Sequence, residues 1–381
     1  MNKCNQVKTK TCVIKGETNQ TMNQLSTITA YALKVPKKQG EKAVRLSISL
    51  GLLDKRLKII QENGSLLVPL VQKPCSGHVE EIRKVLDSFE IVVQRFVAQT
   101  KYPKSALDIA AERLPPNICA SFPRAIDFVG GIAIVEVPSE LTEYRNVVGE
   151  AVLKAHKNVQ TVLAKSGAVE GVCRLREYEV IAGLPNMETV HREHGCRYFV
   201  DLSKVYFSPR LSHEHHRVAS LVKEKETVVD MFAGVGPFSV LIAKLRSEVK
   251  VYAVDVNPDA VRYLEKNIVA NGVLEKVTSV LGDVRKIVHK KLHRTADRVI
   301  MNLPESAVEY VDVACEALKP EGGTVHYYEF TEGLNAVKAA KNHLTEAVSK
   351  TGRSIKEFSS ARIVREVAPF KWQVALDANI R

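Results

Sequence analysis

Apolar and polar positions follow two different rhythms along this chain, and the change of rhythm divides it. Between residues 28 and 71 the pattern is short and closed. An apolar strand at 28–35 leads to a helix after Pro36 with apolar positions Ala43, Val44, Leu46, Ile48 and Leu50, ending at Gly51. Strands at 56–61 and 65–71 then flank Glu62-Asn63-Gly64. Asn-Gly between two apolar runs signals a hairpin, because both residues tolerate the positive φ of a tight turn. A small β-α-β-β domain over 29–75 is expected, with a linker at Lys73-Pro74-Cys75-Ser76-Gly77.

Residues 76–200 read as a mixed α+β domain: a helix at 79–86, a strand at 125–137 interrupted by Gly130-Gly131, and a helix capped by Ser139 that reaches about Lys157. A strand at 174–182 and a pair at 187–193 and 196–206 around His194-Gly195 complete it. In the last segment, 201–381, strands and helices alternate. Apolar strands at 227–232, 251–255, 277–281, 298–302 and 324–330 are separated by helical stretches, which predicts a doubly wound, mostly parallel α/β sheet of Rossmann-like type. The final strands, near 354–367 and 371–377, follow each other without a helix and predict an antiparallel hairpin at the sheet edge.

Residues 1–28 are rich in Lys, Thr, Asn and Gln, with no apolar run of signal-peptide length, and read as a polar flexible tail. No apolar stretch approaches the ~20 residues that cross a bilayer, so no membrane partner is expected. Lys and Arg outnumber Asp and Glu by 55 to 43, a formal charge of +12 that favours a polyanionic partner through counterion release. The seven cysteines are scattered without a Cys-x-x-Cys pair, which fits reduced thiols in a cytoplasmic protein and no metal site.

The candidate chemistry lies at the ends of the predicted parallel strands. The first ends in Asp230-Met231-Phe232-Ala233-Gly234-Val235-Gly236-Pro237, where glycines let the backbone pass close to a ligand at a helix N-terminus. A dinucleotide fingerprint would carry a third glycine where Ser239 stands, which favours a nucleoside without pyrophosphate. Asp255 ends the second strand, placed for ribose hydroxyls, with Asn257-Pro258 starting the next helix; Asp283 follows the third strand, suited to an adenine amino group or to a helix cap. Asp230, Phe232, Gly234, Gly236, Asp255, Asn257, Asp283 and Asn302 together resemble the S-adenosylmethionine pocket of class I methyltransferases. Strand four ends in Asn302-Leu303-Pro304-Glu305, which resembles the Asn-Pro-Pro-aromatic tetrad of methyltransferases acting on planar nitrogens, with Leu303 and Glu305 as departures.

The resemblance sharpens over His191-Arg192-Glu193-His194-Gly195, Val205-Tyr206-Phe207-Ser208-Pro209-Arg210-Leu211, residues 229–238, residues 298–304 and His326-Tyr327-Tyr328. Over about residues 30–380 the chain resembles the archaeal and eukaryotic tRNA guanosine-37 N1-methyltransferases. That resemblance implies S-adenosylmethionine as cofactor, tRNA as partner, and a monomer. It implies Glu214 as the base for guanine N1–H, Arg174 as donor to O6, Asn302 and Pro304 as holders of the amino edge, and Tyr206 and Arg210 as substrate contacts. Taken alone, Glu214 at a helix start among three histidines reads as a dipole-favoured surface acid, and Arg174 as a solvated strand arginine. Where the family usually shows Tyr-Ala-Pro-Arg-Glu-Tyr, this chain has Val367-Ala368-Pro369-Phe370-Lys371-Trp372. Two alternatives stay open: methyl or aminocarboxypropyl transfer to a wyosine intermediate at the same tRNA position, and a catalytically silent tRNA-binding protein.

Overall fold

The computed structural model describes residues 27–97, 105–171 and 174–381, in two compact units whose chain limits are 1–104 and 105–381. Almost all of the expected polar tail lies outside the described residues.

The first unit runs β1 (Thr27–Pro36), α1 (Gly40–Ser49), β2 (Ile60–Glu62), β3 (Ser65–Leu70), α2 (Ser76–Val85) and β4 (Glu90–Val97), with sheet order β2-β3-β1-β4. Successive residues of β1 point to opposite faces, so Leu33 and Val35 join Ala43, Val68 and Ile82 on one side while Ala32 meets Leu57, Leu67 and Phe96 on the other. α2 and β4, which follow the boundary expected at residue 75, belong to the same compact unit. β4 pairs antiparallel with β1 from Thr27↔Val97 to Lys34↔Glu90 and closes an edge that would otherwise stand open. The strand expected from residue 56 shrinks to β2, because Arg56 folds back onto Asp54 in a turn, its Nε donating to Oδ1 at 2.9 Å.

The second unit holds the expected middle domain from residue 105 onward together with the expected last domain. It opens with α3 (Ala106–Ala110), β5 (Ile126–Val129), β6 (Ile132–Val135), α4 (Arg145–Ala155), β7 (Thr161–Glu170) and β8 (Leu175–Gly183). The four strands form one sheet in sequence order, against which α4 buries Val148, Ala151 and Val152. Gly149 is the close approach: a Cβ there would lie 2.8 Å from the Ile181 carbonyl. Ser139 does not cap α4 as expected; it begins a 3-10 turn, Ser139–Tyr144, that precedes the helix. β9 (Glu188–Glu193) and β10 (Cys196–Asp201) form the expected hairpin. β10 ends at Asp201 rather than 206, because the Asp201 carboxylate accepts from the Ser203 N–H and hydroxyl and turns the chain.

The remaining elements are α5 (Ser212–Leu221), β11 (Thr227–Asp230), α6 (Pro237–Leu245), β12 (Lys250–Asp255), α7 (Pro258–Asn271), β13 (Val277–Leu281), α8 (Val284–Ile287), β14 (Arg298–Met301), α9 (Val311–Ala317), β15 (Gly323–Glu332), α10 (Ala336–Ser349), β16 (Ile355–Ala368) and β17 (Lys371–Ile380). The sheet order is β13-β12-β11-β14-β15-β17-β16. β11 to β15 pair in parallel, and β17 is antiparallel to both β15 and β16. The last strand thus inserts inside the sheet and leaves β16 as the edge. The order reverses beside β11, where such sheets open a crevice at the carboxyl ends of their strands.

Candidate active site

A cavity of about 480 Å³ fills that crevice. Its walls combine the loops after β11, β12, β13 and β14 with Arg174, the Tyr206–Ser208 segment, and Arg365 and Gln373 from the β16–β17 hairpin.

Gly236 adopts φ +88°, and a Cβ added to it would lie 2.4 Å from Leu264 Cδ1. The backbone can turn there only without a side chain. Asp230 lies wholly buried behind this loop, with Oδ2 accepting from the Ser239 hydroxyl at 2.7 Å. Burial pushes its pKa up to about 7. Asp230 is not among the lining residues, and it braces the turn with the serine that replaces a third glycine.

Asp255 does line the cavity. Its Oδ2 accepts from the Gly234 N–H at 2.7 Å and its Oδ1 from the Asn257 N–H at 2.9 Å, so the carboxylate is fixed in orientation. Burial raises its pKa above the ordinary aspartate value, while these backbone bonds oppose the rise. Asn257 lines the same wall but its amide is engaged twice: Oδ1 caps α7 by accepting from the Asp259 N–H, and Nδ2 donates to the Lys204 carbonyl. Asp283 lines the wall and also caps α8, accepting from the Arg285 N–H. Phe232 stands edge-on to Tyr310, with ring centroids 5.1 Å apart. Tyr310 is a lining residue that strand-end reasoning could not find, because it comes from a turn after β14.

Across the cavity, Asn302, Leu303 and Pro304 follow β14. The Pro304 carbonyl accepts from the Phe330 N–H at 2.8 Å and ties the turn to β15. The Asn302 Oδ1 is buried without a partner. Arg174, held at φ +53°, lies over the Tyr206 ring at 5.6 Å and donates from Nη2 to Glu305 at 3.0 Å. Its Nη1 is likewise buried without a partner. Unsatisfied buried polar groups cost about 1–3 kcal/mol each, so a donor and an acceptor left open on residues lining one cavity point to a ligand.

Besides Asp230 and Gly236, which stand behind the lining, two more expected site residues lie outside it. Arg210 is ion-paired with Asp127 of β5, ties two parts of the unit together, and does not line the cavity. Glu214, at 5 % exposure, is likewise absent from the wall. It accepts from Arg217 Nη2 at 3.0 Å, Arg362 Nε at 3.0 Å and the Tyr328 hydroxyl at 2.8 Å. Its neighbour His215 does line the cavity, and Tyr328 follows Tyr327, which pairs with Met301 beside Asn302.

The polar chain extends inward from there. Arg217 also donates to Asp377, which accepts from His326 Nδ1 at 2.6 Å, and Arg298 Nη1 donates to His326 Nε2 at 2.8 Å. Burial lowers the pKa of His326, consistent with a neutral ring carrying its proton on Nδ1. For Asp377 burial acts upward, but His326 and Arg217 outweigh it and hold the carboxyl at about 2. His215 in turn bonds Glu193 at 2.7 Å.

Residues 189–356 match the TRM5/TYW2 methyltransferase domain, residues 107–186 the TYW2 N-terminal domain and residues 32–77 the tRNA methyltransferase 5 N-terminal domain. The chain is 40% identical to the tRNA (guanine(37)-N(1))-methyltransferase Trm5b of Pyrococcus abyssi, over 92% of this chain and 98% of that one. The chain belongs to the TRM5/TYW2 methyltransferase family. It is accordingly a methyltransferase. The crystal structure of Pyrococcus abyssi Trm5b superposes with a TM-score of 0.72 at 38% identity, covering 92% of this chain and 99% of that one. With the same coverage, the complex of aTrm5 with tRNALeu gives 0.66 at 33% identity, and Methanocaldococcus jannaschii Trm5 bound to adenosine gives 0.59 at 33%.

Proposed function

We propose that this chain transfers the methyl group of S-adenosylmethionine to N1 of guanosine 37 in tRNA. The observation that carries the reading is the pair of open polar atoms, Arg174 Nη1 and Asn302 Oδ1, on two residues that line one cavity, with the Arg174 guanidinium over the Tyr206 ring. Guanine presents an acceptor at O6 and donors at N1 and N2, which a donor and an acceptor so placed complement. An unstacked base in an RNA loop is ordinarily read by stacking on an aromatic ring, as Tyr206 offers.

The opposite wall suits the cofactor. Gly234 would admit a close backbone approach, Asp255 would hold the ribose hydroxyls with its oriented carboxylate, and Asp283, Phe232 and Tyr310 would receive the adenine. When bound, S-adenosylmethionine supplies an electrophilic methyl group. The chain's own work is to free the N1 lone pair, which neutral guanine keeps behind a proton. Arg174 stabilises the charge that gathers on O6, Asn302 holds the amino edge, and Glu214 accepts the N1 proton after one of its arginines yields. Pro304, its carbonyl engaged by Phe330, shapes the turn that presents Asn302.

The names of the relatives agree: Pyrococcus abyssi Trm5b is a tRNA (guanine(37)-N(1))-methyltransferase. A second reading, transfer to a wyosine intermediate at the same position, draws on the 36% identity to the tRNA 4-demethylwyosine(37)-methyltransferase Taw21 of Saccharolobus solfataricus, over 67% of this chain and 93% of that one. Incubation with labelled methyl donor and unmodified transcripts bearing G37 or A37 tests the first reading. Label on the G37 transcript alone is expected; equal labelling of both, or of neither, contradicts it.

A further inference from the structure

Asn267 and Asn271 of α7 are not explained by the helix that carries them. Asparagine is a poor helix former, because its side chain competes for backbone hydrogen bonds, yet both residues are buried, Asn267 at 0% exposure. A buried amide is kept where its hydrogen bonds are satisfied, and here they run to β10. Asn271 Oδ1 accepts from the Arg197 N–H at 2.9 Å and its Nδ2 donates to the Arg197 carbonyl at 2.7 Å. Asn267 repeats the pattern on Phe199, accepting from the N–H at 2.7 Å and donating to the carbonyl at 3.2 Å. An i, i+4 step on a helix rises about 6 Å and a two-residue step on a strand about 6.7 Å. The amides thus stand in for a neighbouring strand along β10, whose partner in its sheet is β9.

Asn267 makes one bond of another kind. Its Nδ2 also donates to the Val235 carbonyl at 2.9 Å, inside the Gly234-Val235-Gly236-Pro237 turn that lines the cavity at Gly234, Val235 and Pro237. Leu264, three residues earlier on α7, packs at Gly236, where the backbone holds φ +88°. Residues three apart share a helix face, so α7 meets the turn with a side chain that fills space and an amide that fixes a carbonyl. The Pro237 carbonyl accepts from the Tyr198 hydroxyl of β10 at 3.2 Å. Asn267 and Tyr198 are fully buried and neither lines the cavity, so both carbonyls are bound from the protein side. A peptide that precedes glycine meets little steric resistance to rotation. The bond from Asn267 is what selects one orientation of it.

We propose that Asn267 is a positioning residue of the cofactor site: its amide fixes the peptide between Val235 and Gly236, and with it the shape of the turn that receives S-adenosylmethionine. This rests on the cofactor reading above. Asn267 lies outside the cavity lining and acts through Val235. Asn271, which binds the same strand and the Asn267 carbonyl but not the turn, supplies the control.

Calorimetric titration of the full-length protein with S-adenosylmethionine, in the absence of tRNA, compares the wild type with Asn267→Ala and Asn271→Ala. Asn267→Ala is expected to weaken cofactor binding by ~10-fold, the scale of one lost hydrogen bond, and Asn271→Ala to leave it unchanged. In the methylation assay, KM for S-adenosylmethionine should rise by the same ~10-fold in Asn267→Ala while kcat holds. Where Asn267→Ala melts below the assay temperature, Asn267→Asp decides, since it keeps an acceptor for the Phe199 N–H and loses the amide donor to Val235; the same weakening is expected. Wild-type affinity in the folded Asn267 variant, or an equal loss in the Asn267 and Asn271 variants, overturns the proposal and leaves the amide a fastener of β10. Failure of the wild type to bind S-adenosylmethionine overturns the cofactor reading and the proposal with it.

Discussion

Asn302→Ala should lower the single-turnover rate of methyl transfer by ~10²–10³-fold, the loss seen when one preorganised polar contact to the reacting group is removed, while the protein melts at the same temperature or higher. The two halves of this expectation have one cause. Asn302 Oδ1 is buried without a hydrogen-bond partner, so the fold carries a desolvation cost that the proposed base would repay. Alanine should remove the cost and the function together. Affinity for S-adenosylmethionine, measured by calorimetry, should change only a few-fold, because the oriented carboxylate of Asp255 and the glycine turn are untouched. A full rate in this variant, or a marked drop in melting temperature, would show that Asn302 is an ordinary structural amide.

Glu214→Gln should cost ~10²-fold in rate near neutral pH, the usual scale for loss of a positioned general base, with tRNA affinity retained. Here stability should fall as well, by a few kcal/mol, because Arg217 and Arg362 lose the buried carboxylate they share. Arg217 keeps Asp377 as a partner and, among the described residues, Arg362 keeps only the Ser360 hydroxyl, so the strain should concentrate at the edge strand β16. Rate under single-turnover conditions, tRNA binding and thermal melting separate the two effects. A variant that is destabilised but turns over at the wild-type rate would make Glu214 a structural anchor of the Arg217–Asp377–His326 chain and remove it from the reaction.

Much of the catalytic sheet was legible because each parallel strand is a short apolar run whose end carries chemistry: Asp230, Asp255, Asp283 and Asn302 all follow such runs. Local signals gave the rest of that wall, since Asn257 before Pro258 and Asp283 before α8 are helix caps that also reach the cavity. Strands β4 and β7 escaped because charged or small residues, Arg95 in one and Lys165-Ser166-Gly167 in the other, interrupt their apolar pattern. The place of β17 inside the sheet is set by pairing with β15 between residues 39 to 57 positions apart, which periodicity does not record. The same holds for the cavity's far wall. Arg365 and Gln373 line it, as Tyr310 lines the cofactor side, through tertiary packing alone, and the Arg174–Glu305 pair joins residues far apart in sequence. The departure of Glu305 from the tetrad was visible; its partner was not. The family resemblance named Glu214, but nothing local foretold that two arginines and a buried tyrosine would enclose it.

The most direct measurement is nucleoside analysis of an unmodified tRNA transcript after reaction with the purified protein and S-adenosylmethionine. The arrangement of Arg174, Asn302 and the cofactor wall predicts 1-methylguanosine at position 37 and no other new nucleoside. A methyl group on another atom of guanine, at another position of the tRNA, or nowhere although the protein binds the cofactor, would contradict it.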